Sequence, residues 1–518
     1  MKELVYHRYL LPSVERVPKK TAVIDGSFSS TYAEHLDRVC RLADGMKTEL
    51  GVGPGDRYGV MALNGHEYLE LYHASFLSGS VINPLNLRLA PKELSFILSD
   101  SGCKVCFVDS WFAGLIGAVR EEAGIDKVVL IGEGDAPHDF KYEDLVSAGE
   151  AKVPAEREED DVAILMYTGG TTGLPKGVVL DNRALMLDVY KVATRWGMSE
   201  EFVYLHQTPM FHAASLGGIL AVPSVGGLTT SVPVFSPESV LDVIERDQVT
   251  MTVMVPTMIG MLLDHPVFKP ERLKSLKVLT YGASPMPTAL LERVLGLFPD
   301  MDIYQGYGMT ESCGLLTCLG PEEHRRAGDL LRSAGRPMPG SVISIQDEHG
   351  AVVAAGTSGE VCAKAGNYMR EYWNRPEETA AAFRDGWYHT GDAGYIDSEG
   401  YLYLVDRVKD MIVTGGENVY SAEVENAIAS HPAVAQVAVI GIPSEKWGEA
   451  VLAIVVKRPE AEVSEEDIKE WARERIAGFK VPKVVEFRSE PLPLSGAMKV
   501  LKRELRTPYW EGRDRAVQ

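Results

Sequence analysis

Residues 167–177 have the sequence YTGGTTGLPKG, which combines four glycines and three threonines with a single lysine. Glycines leave backbone N–H groups exposed, so a loop of this composition can face an anion, and the lysine adds a cation. The preceding AILMY is typical of a strand, and we predict a phosphate-binding loop over residues 168–177. A glycine-rich hairpin turn would need only two or three special residues and has no use for three threonines.

This segment differs from the Walker phosphate loop at two points. Lys176 is followed by Gly177 rather than by serine or threonine, and the apolar run VVL stands where a helix should begin. The sequence therefore predicts nucleotide binding by a loop of another kind.

Length and charge narrow the classes of protein that fit. A chain of 518 residues is long enough for about three folding units. Its net charge of -21 would repel a polyanion, which argues against a nucleic-acid partner. The first twenty residues scatter charge through every apolar window, so they predict neither a signal peptide nor a membrane span, and a cytoplasmic location is expected.

Two further features have an unremarkable explanation. Residues 213–237 are uncharged and long enough to cross a bilayer, but their glycines, prolines and hydroxyl groups favour a buried core or a pocket lining. Cys103 and Cys106 form a CxxC pair without a second pair or histidines at ligand spacing, so we interpret them as small buried side chains rather than as a redox or zinc site.

The order of patterns along the chain predicts the fold class. Short apolar runs such as RYGVMAL, KVCFVD, KVVLIG and KVLTYGA alternate with helical patterns, which is typical of an α/β protein with mostly parallel sheets covered by helices. From about Val361 the strands are closely spaced and end in a helical EEDIKEWARERIAG. We predict a large N-terminal domain of several subdomains over residues 1–405 and a small α+β domain over residues 406–518.

Eight more motifs follow the loop in a fixed order, and together they span most of the chain. They are PMFH at 209–212, YGASPMP at 281–287, YQGYGMTE at 304–311, GRPMPG at 335–340, WYHTGD at 387–392, VDRVKDMIVTGGENVY at 405–420, GFKVPK at 478–483 and SGAMKVLKREL at 495–505. With the loop, this set resembles the adenylate-forming superfamily, which includes acyl-CoA synthetases, aryl-CoA ligases, luciferases and the adenylation domains of peptide synthetases.

The resemblance implies an activity and a domain movement. It implies an ATP-dependent acid–thiol ligase that makes acyl-AMP with release of pyrophosphate and then a thioester of coenzyme A. A large N-terminal domain would bind ATP and the acid, and the C-terminal domain would be a lid that turns about Lys409. Because a carboxylate must attack an anionic phosphate, Mg²⁺ and hydrogen-bond donors are expected to screen both charges.

The resemblance also assigns roles to individual residues. Thr310 would contact the α-phosphate, Glu311 the metal, and Lys499 both the attacking carboxylate and the α-phosphate. Tyr307 would stack on adenine, Asp392 would bind the ribose hydroxyls with Arg407 as its partner, and His212 would lie near the acid's carboxylate. The remaining nucleotide contacts would come from Thr168, Gly169, Gly170, Thr171, Thr172, Gly173, Lys176, Gly282, Ala283, Ser284, Gln305, Gly306 and Gly308.

Two positions depart from the family's pattern. Met498 stands where a glycine usually precedes the catalytic lysine, and Gly169 stands where many relatives have serine. Neither change removes a charge, so we expect both to be tolerated.

The acyl acceptor and the acid are less closely defined. Gly415 and Gly416 correspond to glycines that let the pantetheine arm pass in the family's CoA ligases, and no carrier domain follows residue 518, so coenzyme A is predicted. A ligase that loads a separate carrier protein and a non-catalytic nucleotide-binding homologue are the alternatives. Peripheral membrane contact and a homodimer are left open by the resemblance.

The segment after His212 indicates the kind of acid. Its small residues either leave room for a fatty, aryl or alicyclic acid or allow a helix to pack closely on its neighbour. Short acids such as acetate are disfavoured. These residues are Ala213, Ala214, Ser215, Gly217 and Gly218.

Overall fold

The computed structural model describes residues 2–168, 175–407, 411–414, 417–444, 446–496 and 498–511. Several predicted residues lie outside this range: Gly169, Gly170, Thr171, Thr172 and Gly173 of the loop, the hinge residue Lys409, and the glycine pair Gly415 and Gly416. For Arg407 the backbone is described and the side chain is not.

The described residues form an α/β fold, as predicted. The helices are α1 His7–Arg16, α2 Tyr32–Gly45, α3 His66–Ser78, α4 Pro91–Ser101, α5 Ala113–Ala123, α6 Tyr142–Ala148, α7 Asn182–Arg195, α8 Leu216–Val225, α9 Pro237–Asp247, α10 Pro256–Asp264, α11 Thr288–Leu297, α12 Pro321–Arg326, α13 Pro376–Ala382, α14 Ser421–Ala429, α15 Glu465–Arg473 and α16 Lys502–Trp510.

The first part of the chain contributes strands β1 Thr21–Asp25, β2 Phe28–Thr31, β3 Arg57–Met61, β4 Val81–Pro84, β5 Val105–Asp109, β6 Lys127–Ile131, β7 Phe140–Lys141, β8 Val162–Thr168, β9 Lys176–Asp181, β10 Val203–His206, β11 Leu228–Ser231, β12 Met251–Met254, β13 Val278–Gly282, β14 Asp302–Met309 and β15 Gly314–Leu319. The rest are β16 Arg336–Pro337, β17 Val342–Gln346, β18 Gly359–Lys364, β19 Glu371–Tyr372, β20 Phe383–Arg384, β21 Trp387–Ile396, β22 Leu402–Arg407, β23 Ile412–Thr414, β24 Glu417–Val419, β25 Val434–Ser444, β26 Gly448–Lys457 and β27 Val484–Arg488.

Two large sheets are mostly parallel. The first has the strand order β16-β15-β14-β13-β12-β10-β11-β1-β2, with parallel pairing from β14 through β1. The second has the order β19-β9-β8-β4-β3-β5-β6-β7 and is parallel from β8 to β7. Because the carboxyl ends of parallel strands share one edge, the loops after β13 and β14 lie side by side.

A third sheet and a fourth sheet complete the chain. The third, β17-β18-β21-β20 with β22 beside β21, is antiparallel throughout. The fourth, β24-β23-β26-β25 with β27 beside β26, carries α14, α15 and α16 and forms the smaller C-terminal unit. Strand β22 runs through Arg407 within the third sheet, and the fourth sheet begins at Ile412, so the predicted boundary at residue 405 falls inside β22.

Most of the uncharged segment 213–237 is buried or half-buried, as predicted, and Pro233 and Val234 are its exposed residues. Helix α8 is apolar around its whole circumference, which is the pattern of a helix buried on all sides. Among the described residues, no helix combines the length and apolar character needed to cross a bilayer. Cys103 and Cys106 are also buried, and burial raises the pKa of both thiols, which agrees with their interpretation as small core side chains.

Candidate active site

The predicted phosphate loop joins two antiparallel strands. Thr168 at the end of β8 is paired with Lys176 at the start of β9, and Tyr167 is paired with Gly177. The predicted loop over residues 168–177 is therefore too long, because Thr168, Lys176 and Gly177 belong to the paired strands. Because Lys176 and Gly177 are paired in a strand ladder, the backbone of Lys176 is fixed at the edge of the loop and is not part of the loop.

The YQGYGMTE motif forms strand β14 and a tight turn after it. Thr310 starts a short 3₁₀ turn, Thr310–Ser312, and its side chain is buried. The motif's Gly308 permits close backbone approach, since a Cβ on it would collide with the Gly314 carbonyl in the neighbouring strand. Asn367 Nδ2 donates to the Ser312 carbonyl oxygen at 2.8 Å and holds the turn from outside.

Strand β19 connects this turn to the hairpin. It pairs with β9 at Tyr372 and Val178, and the Met369 N–H donates to the Glu311 carbonyl oxygen at 2.7 Å. The Tyr372 hydroxyl donates to Glu311 Oε1 at 2.9 Å. The same ring lies 4.9 Å from Lys176 Nζ, so the hairpin lysine and the turn carboxylate meet at Tyr372.

No local pattern in the sequence marks Tyr372, Asn367 or Met369 as site residues. Their signal was the aromatic-rich segment NYMREYW at 367–373, which pattern alone does not distinguish from an ordinary edge strand. Only the pairing of β19 with β9 gives these residues a place at the site.

The predicted ribose residue is held beside the predicted adenine residue. The Tyr307 hydroxyl donates to Asp392 Oδ2 at 2.7 Å, and the Asp392 N–H donates to Thr390 Oγ1 at 3.0 Å. In the ladder between β21 and β22, Asp392 is paired with Arg407. One edge of the Tyr307 ring packs in a hydrophobic cluster with Leu316, so little of the ring is exposed.

The charge of Lys499 acts on the ring of His212, although 287 positions of sequence separate the two residues. Burial, with the charge of Lys499 adding to it, lowers the pKa of His212 to about 3, so the ring is neutral at physiological pH. The Ala214 N–H donates to His212 Nδ1 at 3.2 Å, which assigns the ring proton to Nε2. His212 is therefore a neutral hydrogen-bond donor beside a cation.

The short loop that carries Lys499 is docked on the large unit. Leu494 and Val500 form an isolated antiparallel bridge, and the Thr257 hydroxyl donates to the Met498 carbonyl oxygen at 2.7 Å. Met498 has φ of +60°, in the left-handed region that favours glycine. Glycine, which the family usually has at this position, would adopt this conformation without strain. The departure at residue 498 therefore strains the backbone.

An apolar cavity lies between the first sheet and helices α7 and α8. It encloses about 630 Å³ of empty space, its opening included. Ala213, Ala214, Gly217 and Gly218 line one wall, and Gly282, Ala283 and Gly306 of the nucleotide strands line another. A Cβ on Gly218 would collide with the Tyr204 ring, so both interpretations of the small residues hold: they bring α8 close to the sheet and they border the cavity.

The structure thus brings the described site residues into three neighbouring groups. Lys176 and Glu311 both contact Tyr372, Tyr307 contacts Asp392, and the charge of Lys499 acts on His212. Gln305 and Gly308 belong to β14, and Ala283 and Ser284 follow β13 directly, with φ of +64° at Ala283.

Comparison with known proteins gives a consistent result over the whole chain. Residues 11–373 match the family model described as AMP-binding enzyme, and residues 423–499 match the AMP-binding enzyme C-terminal domain. The chain is 38% identical over 494 residues to a feruloyl-CoA synthase of an Amycolatopsis species, covering 95% of this chain and 96% of the relative.

Other relatives differ in what their names say they act on. A long-chain-fatty-acid–CoA ligase of Mycobacterium tuberculosis is 39% identical over 92% of this chain and 93% of its own length. A fatty acid–[acyl-carrier-protein] ligase of Streptomyces coeruleorubidus is 34% identical over 96% of this chain and 95% of the relative. The solved structure of o-succinylbenzoate CoA synthetase from Bacillus subtilis with its acyl-adenylate superposes with a TM-score of 0.84 at 32% identity, covering 96% of this chain and 97% of that chain.

Proposed function

The chain belongs to the AMP-binding enzyme family and is an AMP-forming acyl-CoA ligase, and we propose that it activates a hydrophobic carboxylic acid, fatty, aryl or alicyclic. One observation carries the proposal about the acid. A single apolar cavity is bordered both by Ala213 and Ala214, next to His212, and by Gly282 and Gly306 of the nucleotide strands. An acid in this cavity would present its carboxylate where the α-phosphate is expected.

The first half-reaction follows from the charges placed there. The carboxylate attacks the α-phosphate of ATP, pyrophosphate leaves, and acyl-AMP forms. Lys499 neutralises charge on the two reacting anions, and the Nε2–H of His212 orients the carboxylate by donating to it. Thr310 contacts the α-phosphate, and Lys176 with the loop amides and threonine hydroxyls holds the leaving phosphates.

The nucleoside is held on the other side of β14. Tyr307 stacks on adenine beside Gly282 and Ala283, and Asp392 accepts hydrogen bonds from both ribose hydroxyls. The hydrogen bond from Tyr307 to Asp392 fixes the carboxylate for this purpose before ATP arrives.

The residues present fit Mg²⁺. Glu311 offers a hard carboxylate oxygen whose orientation Tyr372 fixes, and Mg²⁺ prefers one or two carboxylates together with substrate phosphates. When bound, the ion would screen phosphate charge.

The second half-reaction needs a different arrangement. We assign residues 1–405 to the adenylating domain and residues 406–518 to a lid that turns about Lys409, so that Gly415 and Gly416 border the approach of coenzyme A. The loop with Lys499, docked through Thr257, corresponds to the lid position for the first half-reaction. We place the reaction in the cytoplasm, where ATP and coenzyme A are available, and in fatty-acid or related lipid metabolism.

A panel of acids tests the proposal. Alkyl, aryl and alicyclic acids are incubated with ATP and Mg²⁺, and pyrophosphate exchange and CoA-dependent AMP release are measured. Lys499→Ala should lose pyrophosphate exchange yet convert supplied acyl-adenylate to thioester, whereas Arg503→Ala, an exposed basic residue on α16, should keep both. Equal loss of both half-reactions in folded Lys499→Ala would contradict the assigned role.

A carrier-protein ligase is the second candidate, since one relative named above has that activity. AMP release that requires coenzyme A supports the first candidate. Acyl-adenylate that accumulates unchanged with coenzyme A and is discharged by a phosphopantetheinylated carrier supports the second.

A further inference from the structure

The wall of the apolar cavity contains polar side chains besides those of Tyr204 and Tyr281. Asp188, Val192 and Trp196 border it at intervals of four residues, a single stripe along one face of α7 that continues just past its end. Val192 is apolar, but Asp188 carries a carboxyl group and Trp196 an indole N–H. From the first sheet, Thr280 adds a hydroxyl group.

Asp188 is buried, and its neighbours leave part of its hydrogen-bonding capacity unused. It accepts long hydrogen bonds from the Leu315 N–H at 3.3 Å and from Asn367 Nδ2 at 3.4 Å, and both end on Oδ1. The nearby Lys191 gives its ammonium group to Ser341 Oγ and Asn367 Oδ1 instead, at 2.8 and 2.7 Å. Burial raises the pKa of Asp188 to about 7.

The other two groups are buried without partners. Thr280 Oγ1 and Trp196 Nε1 have no hydrogen-bond partner within the part of the chain that the structure describes. A buried hydroxyl or N–H in this state is destabilising unless a water or a ligand forms a hydrogen bond with it. These two groups and the weakly bonded Asp188 border one cavity, which indicates a ligand that forms hydrogen bonds with them.

We propose that the cavity selects acids whose apolar body carries a hydroxyl group, with Asp188 accepting the hydrogen bond of that hydroxyl. Thr280 and Trp196 complete the polar contacts, Trp196 by donating to an oxygen of the same acid. The inference rests on the proposed function, because it concerns the acid that this site activates. It restricts the proposed substrates from hydrophobic acids in general to hydrophobic acids that carry a hydroxyl group.

Asp188 would otherwise be a purely structural carboxylate that anchors the start of β15 through Leu315. That role acts on every acid alike, since it is independent of what occupies the cavity. Recognition acts on the hydroxylated acid alone, because a site built to bind a hydroxyl group discriminates against the analogue that lacks one.

Matched pairs of acids separate the two roles. A straight-chain acid and an aryl acid are each offered unsubstituted and with a hydroxyl group at successive carbons, and kcat/KM for pyrophosphate exchange is measured with the full-length protein. The wild type should prefer at least one hydroxylated acid by about tenfold or more over its parent. Asp188→Asn, which keeps the size of the side chain, should reduce the ratio of the two kcat/KM values at least several-fold.

Val192→Ala is the matched control, because it changes the same wall of the cavity without touching a polar group. It should affect both members of each pair alike. Thr280→Val, which removes only the hydroxyl group, should lower the preference as Asp188→Asn does. No preference in the wild type, or equal loss on both members of the pair in Asp188→Asn, would overturn the inference.

Measuring the binding of the acids directly tests the inference separately from the proposed function. Calorimetric titration of each acid, without ATP, measures the preference independently of turnover. Preferential binding of the hydroxylated acid without adenylation by any acid would support the cavity assignment and refute the proposed activity. Adenylation of acids without a preference for hydroxylated ones would support the proposed activity and refute the cavity assignment.

Discussion

Tyr372 donates a hydrogen bond to the carboxylate of Glu311 over 2.9 Å, across 61 positions of sequence. Burial, followed by the charge of Glu311, raises the pKa of the Tyr372 hydroxyl, so it stays protonated and remains a donor at every physiological pH. With Lys176 facing the ring, Tyr372 positions one residue proposed for the metal and one proposed for the leaving phosphates.

Tyr372→Phe tests this positioning. The variant keeps the ring beside Lys176 but frees the Glu311 carboxylate, so we expect the Mg²⁺ concentration for half-maximal pyrophosphate exchange to rise about three- to tenfold. Tyr372→Leu also removes the ring and should raise the KM for ATP as well. Tyr190→Phe, at a tyrosine that is 59% exposed, is the control. An unchanged Mg²⁺ requirement in Tyr372→Phe would show that Glu311 is positioned by other groups.

Met498 offers a test of backbone strain in the loop that carries Lys499. Met498→Gly and Met498→Ala both delete the side chain that packs against the hydrophobic cluster of Met258 and Ile259, but only glycine relieves the φ of +60°. The strain of a non-glycine residue in this region is about 1 kcal/mol. We therefore expect the glycine variant to form acyl-adenylate roughly fivefold faster than the alanine variant. Equal rates of pyrophosphate exchange would mean that the loop does not keep this conformation during adenylation.

Gly217 and Gly218 are neighbours with opposite surroundings. A Cβ on Gly218 collides with the rigid Tyr204 ring, whereas on Gly217 its nearest contact is Val192 at an ordinary 3.5 Å. We expect Gly218→Ala to lower the free energy of unfolding by about 1–3 kcal/mol through overpacking. Gly217→Ala should be neutral or stabilising by up to about 1 kcal/mol, because alanine favours the helix. Urea unfolding curves compare the two, and a reversed order would contradict the packing of α8 on the sheet.

The pH dependence of stability should reveal the buried carboxyl of Asp188. Its folded pKa of about 7 lies above the ordinary aspartate pKa of 3.8, so between these values the folded state holds a proton that the unfolded state has released. Stability from this group is therefore complete below pH 3.8 and is lost as the pH rises towards 7, by at most about 1.4 kcal/mol per pH unit. The charges facing it are those of Lys191 and, when ionised, the Cys313 thiol.

Asp188→Asn removes this titration. The difference in unfolding free energy between wild type and variant, from urea curves at successive pH values, should shift in favour of the variant as the pH rises. A difference that stays constant from pH 4 to 7 would place the carboxyl in contact with water or with a stronger partner.

Much of the site followed from local patterns. Glycines, threonines and a lysine in one stretch predicted phosphate chemistry because loop amides and small hydroxyls act within a few residues of one another. The order of nine motifs identified the superfamily, and the alternation of strands and helices predicted the α/β class. The predicted loop over residues 168–177 was too long, because the point at which a strand ends depends on the strand that pairs with it. Lys176 and Gly177 are paired with Thr168 and Tyr167 and so belong to a strand.

The residues that sequence analysis missed are those whose role depends on distant neighbours. Tyr372 has no local feature that marks it, and only the pairing of β19 with β9 brings it to Glu311. The strain at Met498 was invisible until its φ was known, although the departure from glycine had drawn attention to that position.

The chemistry of the protein was thus present in its linear order, because phosphate loops, strand-end turns and helix periodicity depend on residues close in sequence. The tertiary structure alone decided which of those segments meet: His212 with Lys499, Tyr307 with Asp392, and Asp188 with Thr280 around one cavity. These encounters depend on sheet order and on the packing of α7 and α8, where many weak long-range contacts act together and no single stretch of sequence records the outcome.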